Sequence, residues 1–251
     1  MSTILVTGGT GTLGAPVVAR LRAAGHEVRA LSRRSSSFPV DLTDGSGLDA
    51  ALAGVDTVVH CASSTRQSGK GDDAAAGHLI GAARRAGVGH LVYISIVGVD
   101  VVPFGYYKTK LKVERMLEQS GLGVTILRAT QFHDLVAMVT DMLAKLPVVL
   151  VPAVPDQPIA VEEVADRLAE LAAAAPAGRV ADLGGPLTEN LPDLARRYLR
   201  ARGSRRPVVP VRLPGKTFRA FRAGGHLAPV GATGKRTFDE FLHDRATAGT
   251  V

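Results

Sequence analysis

Three regularly spaced glycines, Gly8, Gly11 and Gly14, stand between an apolar run that predicts a strand and a pattern that predicts a helix. In such a turn the first glycine permits the bend, the second lets the backbone approach a pyrophosphate, and the third allows close helix–strand packing. The free N–H groups and positive end of the helix then favour phosphate. The pattern predicts a dinucleotide site, with a purely structural glycine turn as the alternative. The residues assigned to it are Gly8, Thr10, Gly11, Thr12, Leu13 and Gly14.

The residues after the second predicted strand indicate which dinucleotide binds. NAD sites usually carry an acid there to hold the ribose hydroxyls. This chain has Ser32, Arg33 and Arg34 instead, with no acid between Glu27 and Asp41. Arginine binds a phosphate through charge-assisted, often bidentate hydrogen bonds, which favours the 2′-phosphate of NADP. The alternative is that both arginines are surface loop charges.

Tyr106 and Lys110 are four residues apart in a predicted helix, so their side chains lie on one face. A free phenol has a pKa near 10, and a neighbouring ammonium lowers that pKa. Tyr106 is therefore a candidate proton donor to a carbonyl oxygen during hydride transfer. Lys110 is also placed to hold the nicotinamide ribose. The alternative is an ordinary aromatic residue and lysine on a surface helix.

The elements that must position these groups alternate along the first half of the chain. Repeated βαβ units with β-branched, nearly all-apolar strands predict a parallel sheet with helices on both faces. The predicted strands are residues 4–6, 27–31, 38–40, 56–60, 90–95 and 123–127, and the predicted helices are residues 13–24, 46–53, 72–86, 106–119 and 161–175.

The second half is less regular, because eleven of the 14 prolines follow residue 140. We expect one Rossmann-type α/β domain, a doubly wound parallel sheet with a small C-terminal α/β lobe. Residues 1–130 would form the cofactor-binding core, and residues 131–251 the smaller substrate lobe.

Beyond these patterns, the chain resembles the short-chain dehydrogenase/reductase superfamily, and more narrowly its atypical, NmrA-like branch. The likeness covers most of the chain and weakens between residues 183 and 214. The motifs that carry it are the glycine turn, DLTD at 41–44, ARRAGVGHLVYIS at 83–95, IVGVD at 96–100, PFGYYKTK at 103–110, RATQFH at 128–133 and QPIAV at 157–161.

The resemblance implies roles for two further segments. Asp41 and Leu42 would flank the adenine ring, and Cys61, Ala62 and Ser63 would run past the cofactor ribose. From the residue alone, Cys61 is more simply a small buried hydrophobic group.

The resemblance also implies a serine near the end of the fifth predicted strand to orient the carbonyl. Ser95 is the candidate, although the family serine falls one or two places later, where this chain has Ile96 and Val97. The interval of 11 residues from Ser95 to Tyr106 is correspondingly short. Tyr107, the adjacent residue, is an alternative phenol.

Phe132 and His133 follow the sixth predicted strand, in a loop that the resemblance places on the substrate side. His133 is a candidate to orient or protonate substrate, with a hydrogen-bonded loop histidine as the alternative. Aromatic and methionine side chains further along, such as Met138, Phe218 and Phe221, are candidates for an apolar pocket or plain core.

Composition limits the classes of partner. The chain has 251 residues and a net charge of +7, and residues 191–222 hold ten basic side chains against one acid. No nucleic-acid-binding motif accompanies them, so we expect a solvated face rather than nucleic acid binding. The single cysteine favours a reducing cytoplasm. No run of roughly 18 to 20 apolar residues predicts a membrane span. We expect no metal site, and a monomer or homodimer.

These observations favour an NADP-dependent oxidoreductase that reduces a small, largely apolar carbonyl or quinone. The main rival is a non-catalytic NADP-binding redox sensor of NmrA type. A third possibility is an epimerase or isomerase on the same fold.

Overall fold

The computed structural model describes residues 1–32, 40–64, 69–228, 234–247 and 249. Their elements follow in the order β1 (Thr3–Thr7), α1 (Gly14–Ala23), β2 (Glu27–Leu31), α2 (Leu48–Leu52), β3 (Thr57–His60), α3 (Asp72–Arg85), β4 (His90–Ile96), α4 (Gly105–Glu118), β5 (Gly123–Ala129), α5 (His133–Leu143), β6 (Val149–Pro152), β7 (Pro155–Asp156), α6 (Val161–Ala173), β8 (Gly178–Arg179), β9 (Glu189–Asn190), α7 (Leu191–Ala201), β10 (Val208–Val211), α8 (Lys216–Arg222) and α9 (Phe238–Thr247).

Six strands form one sheet in the order β2-β1-β3-β4-β5-β8, and helices flank this sheet. β1 pairs in parallel with both β2 and β3, so the chain reverses its direction of winding at β1. Ile4, Leu5 and Val6 are fully buried, as strands covered on both faces require. The predicted Rossmann-type α/β fold is confirmed, and ligands in such sheets bind at the carboxyl ends of the strands beside this switch point.

The contacts divide the chain into two units, and the division is discontinuous in sequence. The first unit comprises residues 1–95, 104–128 and 162–181, and the second comprises residues 96–103, 129–161 and 182–251. The core of the first unit is aliphatic and includes Leu5, Val58, Leu91 and Val113. The second unit has a separate aromatic and aliphatic cluster around Tyr198, Phe238 and Phe241. The functional division at residue 130 stays a prediction.

Most predicted elements of the first half are present within a residue or two. The prediction of a loop at His133 is wrong, because helix α5 begins at this residue. The helix buries Val136, Ala137 and Thr140 on one face. The candidate third strand at residues 38–40 lies outside the described residues, except for Val40, which is buried but not in a strand. Among the described residues, no helix is both long and apolar enough to cross a membrane.

Part of the basic charge between residues 191 and 222 is compensated locally. Arg196 pairs with Asp193 at 2.6 Å, and Arg197 pairs with both Glu189 and Asp239. These contacts agree with a solvated face on α7 that forms ordinary surface ion pairs.

Candidate active site

The glycine turn between β1 and α1 is tightly packed. Gly8 has φ +66°, a left-handed conformation that favours glycine. The Gly11 amide donates to the Gly8 carbonyl at 2.8 Å. A Cβ on Gly14 would lie 2.1 Å from the Gly8 carbonyl oxygen. Only glycine at residue 14 therefore lets α1 begin this close to the end of β1.

The N-terminus of α1 suits an anion. The helix has no side-chain cap and no acid in its first turn, so its positive end is not neutralised by the helix's own residues. Thr10, Gly11 and Thr12 are exposed in front of it, whereas Leu13 is buried and anchors the turn. The residues present fit the pyrophosphate of a dinucleotide.

The segment after β3 lies directly against the glycine turn. A Cβ on Gly8 would meet the Ala62 backbone at 2.9 Å. Thr7 Oγ1 accepts a hydrogen bond from the Ala62 amide at 3.2 Å and also contacts His60 Nδ1 at 2.7 Å. These bonds bring Cys61, Ala62 and Ser63 beside the predicted pyrophosphate site, within the first unit.

The Cys61 side chain is half-buried and is not a nucleophile at neutral pH. Burial raises the pKa of its thiol to about 12, although Lys110 opposes the shift. The thiol therefore stays protonated at neutral pH, and a thiol is a much weaker nucleophile than a thiolate. Burial likewise lowers the pKa of His60 to about 3, so this imidazole is neutral.

Lys110 is a buried lysine, with only 4% of its surface exposed. Its Nζ donates to the Ile94 carbonyl at 3.2 Å and lies 4.8 Å from the centre of the Tyr93 ring. The Tyr106 ring centre is 5.9 Å away, so the predicted pair does share one face of α4. Burial lowers the pKa of Lys110 to about 8, and the nearby charge of Asp72 opposes this shift.

The Tyr106 phenol lies 2.8 Å from the Ser63 hydroxyl. Burial raises its pKa to about 12, the hydrogen bond to Ser63 opposes the shift, and the charge of Asp72 adds to it. The expected lowering of this pKa is wrong here, because the phenolate loses its hydration on burial and lies near the negative charge of Asp72.

Asp72, which the sequence analysis did not single out, completes this group. Its carboxylate accepts the Ser63 hydroxyl at 2.6 Å and the Ser64 amide at 2.8 Å. In the sequence it is one of two acids in the first turn of α3, where acids are common for the helix dipole alone. Only the fold distinguishes it from Asp73.

Ser95 and Tyr107 are both buried. Ser95 is 2% exposed, and within the described part of the chain its hydroxyl has no hydrogen-bond partner. Alternation along β4 puts it on the same side as Tyr93, which Lys110 covers. A buried hydroxyl without a partner is unusual in a folded protein, and the role of Ser95 toward a substrate oxygen stays a prediction. Tyr107 packs edge-on against Phe104, with ring centres 5.7 Å apart.

The remaining predicted cofactor residues are only partly described. Ser32 directly follows β2, whereas Arg33 and Arg34 lie outside the described residues. Asp41 accepts the Thr43 amide at 3.0 Å, which shapes the turn it begins. Leu42 packs against the aliphatic core of the first unit. Their assignment to adenine stays a prediction.

Phe132 and His133 belong to the second unit. His133 is fully buried, with its ring centre 5.2 Å from that of Phe241 and 5.5 Å from that of Phe238. Its Nε2 is 3.2 Å from the Arg236 carbonyl. This environment favours the alternative of a hydrogen-bonded structural histidine, and the substrate role stays a prediction.

Replacing Gly14 with alanine tests the turn. We expect Gly14→Ala to weaken NADPH binding at least about tenfold, because the new Cβ overlaps the Gly8 carbonyl and displaces the start of α1. Gly81→Ala in α3, where a Cβ meets only a side-chain atom at 3.5 Å, is the matched control. Fluorescence titration with NADPH gives both affinities, and circular dichroism checks folding. Wild-type affinity in folded Gly14→Ala would contradict the placement of the pyrophosphate.

Replacing Lys110 with methionine tests its burial. The pKa of Lys110 is lower in the folded protein, about 8 against an ordinary 10.5, so the folded state bears a charging penalty below pH 8. We expect Lys110→Met to raise the free energy of unfolding at pH 7 by about 1–3 kcal/mol. The advantage should shrink as pH rises from about 8 to 10.5. Urea unfolding at several pH values measures it, with exposed Lys108→Met as the control. A pH-independent difference would contradict the assignment.

Comparison with known proteins agrees with this geometry. The chain matches the NAD(P)H-binding family over residues 8–174. It is 41% identical over 68 residues to a 3-beta-hydroxysteroid dehydrogenase of Mycolicibacterium neoaurum, which covers 24% of this chain and 19% of that protein. It is 35% identical over 141 residues to a (4-alkanoyl-5-oxo-2,5-dihydrofuran-3-yl)methyl phosphate reductase of Streptomyces griseus, covering 51% and 48% respectively. The chain spans less than half of the length of these relatives.

Solved structures share the fold. An NADPH-dependent quinone oxidoreductase from Escherichia coli, complexed with NADPH, superposes with a TM-score of 0.78 at 20% identity, over 96% of this chain and 99% of that one. A short-chain dehydrogenase/reductase superfamily protein from Agrobacterium tumefaciens with bound NAD gives 0.71 at 20% identity, over 98% and 97%. These structures share the fold of this chain, and the family match shows that the chain belongs to the NAD(P)H-binding family.

Proposed function

We propose that the chain is an NADP-dependent oxidoreductase that reduces a small, largely apolar carbonyl or quinone, with Tyr106 as the proton donor. One observation carries the proposal. Within the first unit, Tyr106 reaches Ser63 at 2.8 Å, and the segment holding Ser63 packs against Gly8 of the glycine turn. The candidate proton donor and the glycine turn therefore lie at the same edge of one sheet, which supports the proposal.

The residues that hold NADP follow from this arrangement. The turn from Gly11 to Gly14 binds the pyrophosphate at the start of α1, and Lys110 binds the nicotinamide ribose. Arg33 and Arg34 follow β2 in sequence and supply the positive charge for the 2′-phosphate. When bound, the reduced nicotinamide supplies a hydride to the substrate carbon.

The chain's own side chains manage the proton on the substrate oxygen. Tyr106 donates it, and a pKa of about 12 keeps this phenol protonated throughout the neutral range. Lys110 is charged below its pKa of about 8 and stabilises the phenolate left after transfer. The unsatisfied hydroxyl of Ser95 donates to the same oxygen.

The comparisons support reduction as the reaction class. The Streptomyces griseus relative is named a reductase, and the Escherichia coli neighbour is named a quinone oxidoreductase.

Replacing Tyr106 with phenylalanine tests the catalytic role. We expect Tyr106→Phe to lower kcat for carbonyl substrates by roughly 10²–10⁴-fold, the usual contribution of a general acid, with NADPH affinity unchanged. NADPH oxidation across quinones, aldehydes and ketones measures it. Tyr107→Phe, which removes the neighbouring phenol, is the matched control.

The other outcomes are equally informative. Unchanged turnover in Tyr106→Phe would reject the phenol as acid and indicate quinone reduction by hydride transfer alone. NADPH binding without turnover of any substrate would favour the redox sensor.

Replacing the two arginines after β2 tests cofactor choice. We expect Arg33→Ser together with Arg34→Ser to weaken NADPH binding about tenfold or more, because each charge-assisted hydrogen bond contributes about 1.5–3 kcal/mol. NADH affinity should change little, since NADH lacks the 2′-phosphate. Calorimetry with both cofactors measures the ratio, and Arg84→Ser, which changes an exposed arginine on α3, is the control. An equal loss for both cofactors would reject this phosphate site.

A further inference from the structure

Asp72 is linked to the proposed proton donor, Tyr106, through the Ser63 hydroxyl. It opens α3 and is 8% exposed. One carboxylate oxygen accepts the Ser63 hydroxyl at 2.6 Å, and the other accepts the Ser64 amide at 2.8 Å. The Ser63 oxygen lies 2.8 Å from the Tyr106 phenol. A continuous chain of hydrogen bonds thus joins the carboxylate to the phenol.

The positions of the protons in this series of hydrogen bonds can be assigned by counting donors. An ionised carboxylate only accepts, and a serine hydroxyl has a single proton to donate. Ser63 donates its hydrogen bond to Asp72, because the charge-assisted bond is the stronger of the two available to Ser63. Ser63 then offers only lone pairs to Tyr106, so in the absence of substrate the phenol donates to Ser63. In the proposed reaction this proton turns from Ser63 to the substrate oxygen. This order stabilises the neutral phenol and offers no donor to a phenolate.

We propose that Asp72 is a positioning residue which, acting through Ser63, holds the Tyr106 phenol and keeps it protonated. The inference goes beyond the tyrosine–lysine pair, because it assigns control of the proton to a carboxylate on a different helix. Its catalytic consequence rests on the proposed function. Its effect on the proton affinity of Tyr106 does not.

Other groups around the phenol set the background. Lys110 on α4 faces it with a positive charge that favours the phenolate. Tyr93 on β4 and the Cys61 thiol after β3 are neutral at physiological pH, because burial raises the pKa of both. Among the described groups, Asp72 is therefore the charge that raises the proton affinity of the phenol.

Replacing Asp72 with asparagine should reverse the order of protons. The side-chain amide can donate to Ser63, which frees the Ser63 proton to bond to the phenolate. The negative charge beside Tyr106 disappears as well. Both changes favour ionisation of the phenol.

The chain suits a direct titration of this phenol. It has four tyrosines and no tryptophan, so tyrosinate absorbance is not obscured by indole. Subtracting the titration of Tyr106→Phe in the same background isolates Tyr106. Circular dichroism at each pH shows where each variant is folded, and only absorbances from that pH range are used. We expect Asp72→Asn to raise the acid dissociation constant of Tyr106 at least about tenfold.

Asp73→Asn is the matched control, since it removes the same charge from the next residue. Asp73 is paired with Lys112 at 2.6 Å on the surface, and its replacement should leave the Tyr106 titration unchanged. Asp72→Glu, which keeps the charge, should stay close to wild type. If Asp72→Asn does not fold, Asp72→Ser is a second neutral variant suited to a helix start.

A double-mutant cycle tests whether the effect passes through Ser63. In the Ser63→Ala background we expect most of the shift caused by Asp72→Asn to vanish. A shift of equal size there would overturn the proposal in favour of a through-space charge effect. An unchanged Tyr106 titration in folded Asp72→Asn would overturn it outright.

Kinetics then separate this inference from the proposed function. If Tyr106 is the acid, Asp72→Asn should move the alkaline limb of the kcat profile to lower pH and leave the KM for NADPH unchanged. A shifted titration without any kinetic effect of Tyr106→Phe would refute the catalytic function and still support the role of Asp72. A kinetic change with an unshifted titration would refute the role of Asp72.

Discussion

The burial of one ammonium group, that of Lys110, constrains the whole candidate site. A lysine removed from water must be compensated by nearby acceptors and charges. Here β4 supplies the Ile94 carbonyl and the Tyr93 ring, which both contact the ammonium. The carboxylates of Asp72 on α3 and Glu114 on α4 supply negative charge. These groups come from β4, from α3 and from α4 itself, so the position of Lys110 depends on the sheet and both helices being in place.

Glu114 links this constraint to the next strand. It lies one turn beyond Lys110 on α4 and forms a buried bidentate ion pair with Arg128 of β5, with N–O distances of 2.9 and 2.6 Å. Both side chains are nearly inaccessible. Breaking such a pair on one side leaves an uncompensated buried charge, which is strongly destabilising. The helix that presents Tyr106 and Lys110 is therefore fastened to the sheet by charge as well as by packing.

Burial acts in opposite directions on the two proposed proton-handling groups. It lowers the pKa of Lys110 to about 8 and raises that of Tyr106 to about 12, because in each case the charged form loses its hydration. The phenol consequently keeps its proton while the amine approaches its titration range near neutral pH. From the sequence we expected the ammonium alone to govern the phenol. The structure adds a competing carboxylate and a bridging hydroxyl.

Local spacing was sufficient to predict much of the molecule. The interval of three between the turn glycines and of four between Tyr106 and Lys110 acts within one turn or one helix face, so neither depends on distant contacts. The alternation of short apolar runs and helical patterns predicted the parallel sheet for the same reason. Helix α5 escaped prediction because its buried face is defined by packing against other segments of its unit.

The sequence by itself determined the Rossmann-type fold, the dinucleotide turn and the candidate tyrosine–lysine pair, since each is written in residues close together along the chain. Only the tertiary structure decided which of the two adjacent acids, Asp72 or Asp73, contacts Ser63. Asp72 is nine residues from Ser63, and Ser63 is 43 residues from Tyr106. Their contact arises because parallel strands bring their carboxyl ends to one edge of the sheet. Asp72 and Asp73 are the same residue type at adjacent positions. They differ because Asp72 contacts Ser63 in the folded protein, whereas Asp73 pairs with Lys112 on the surface.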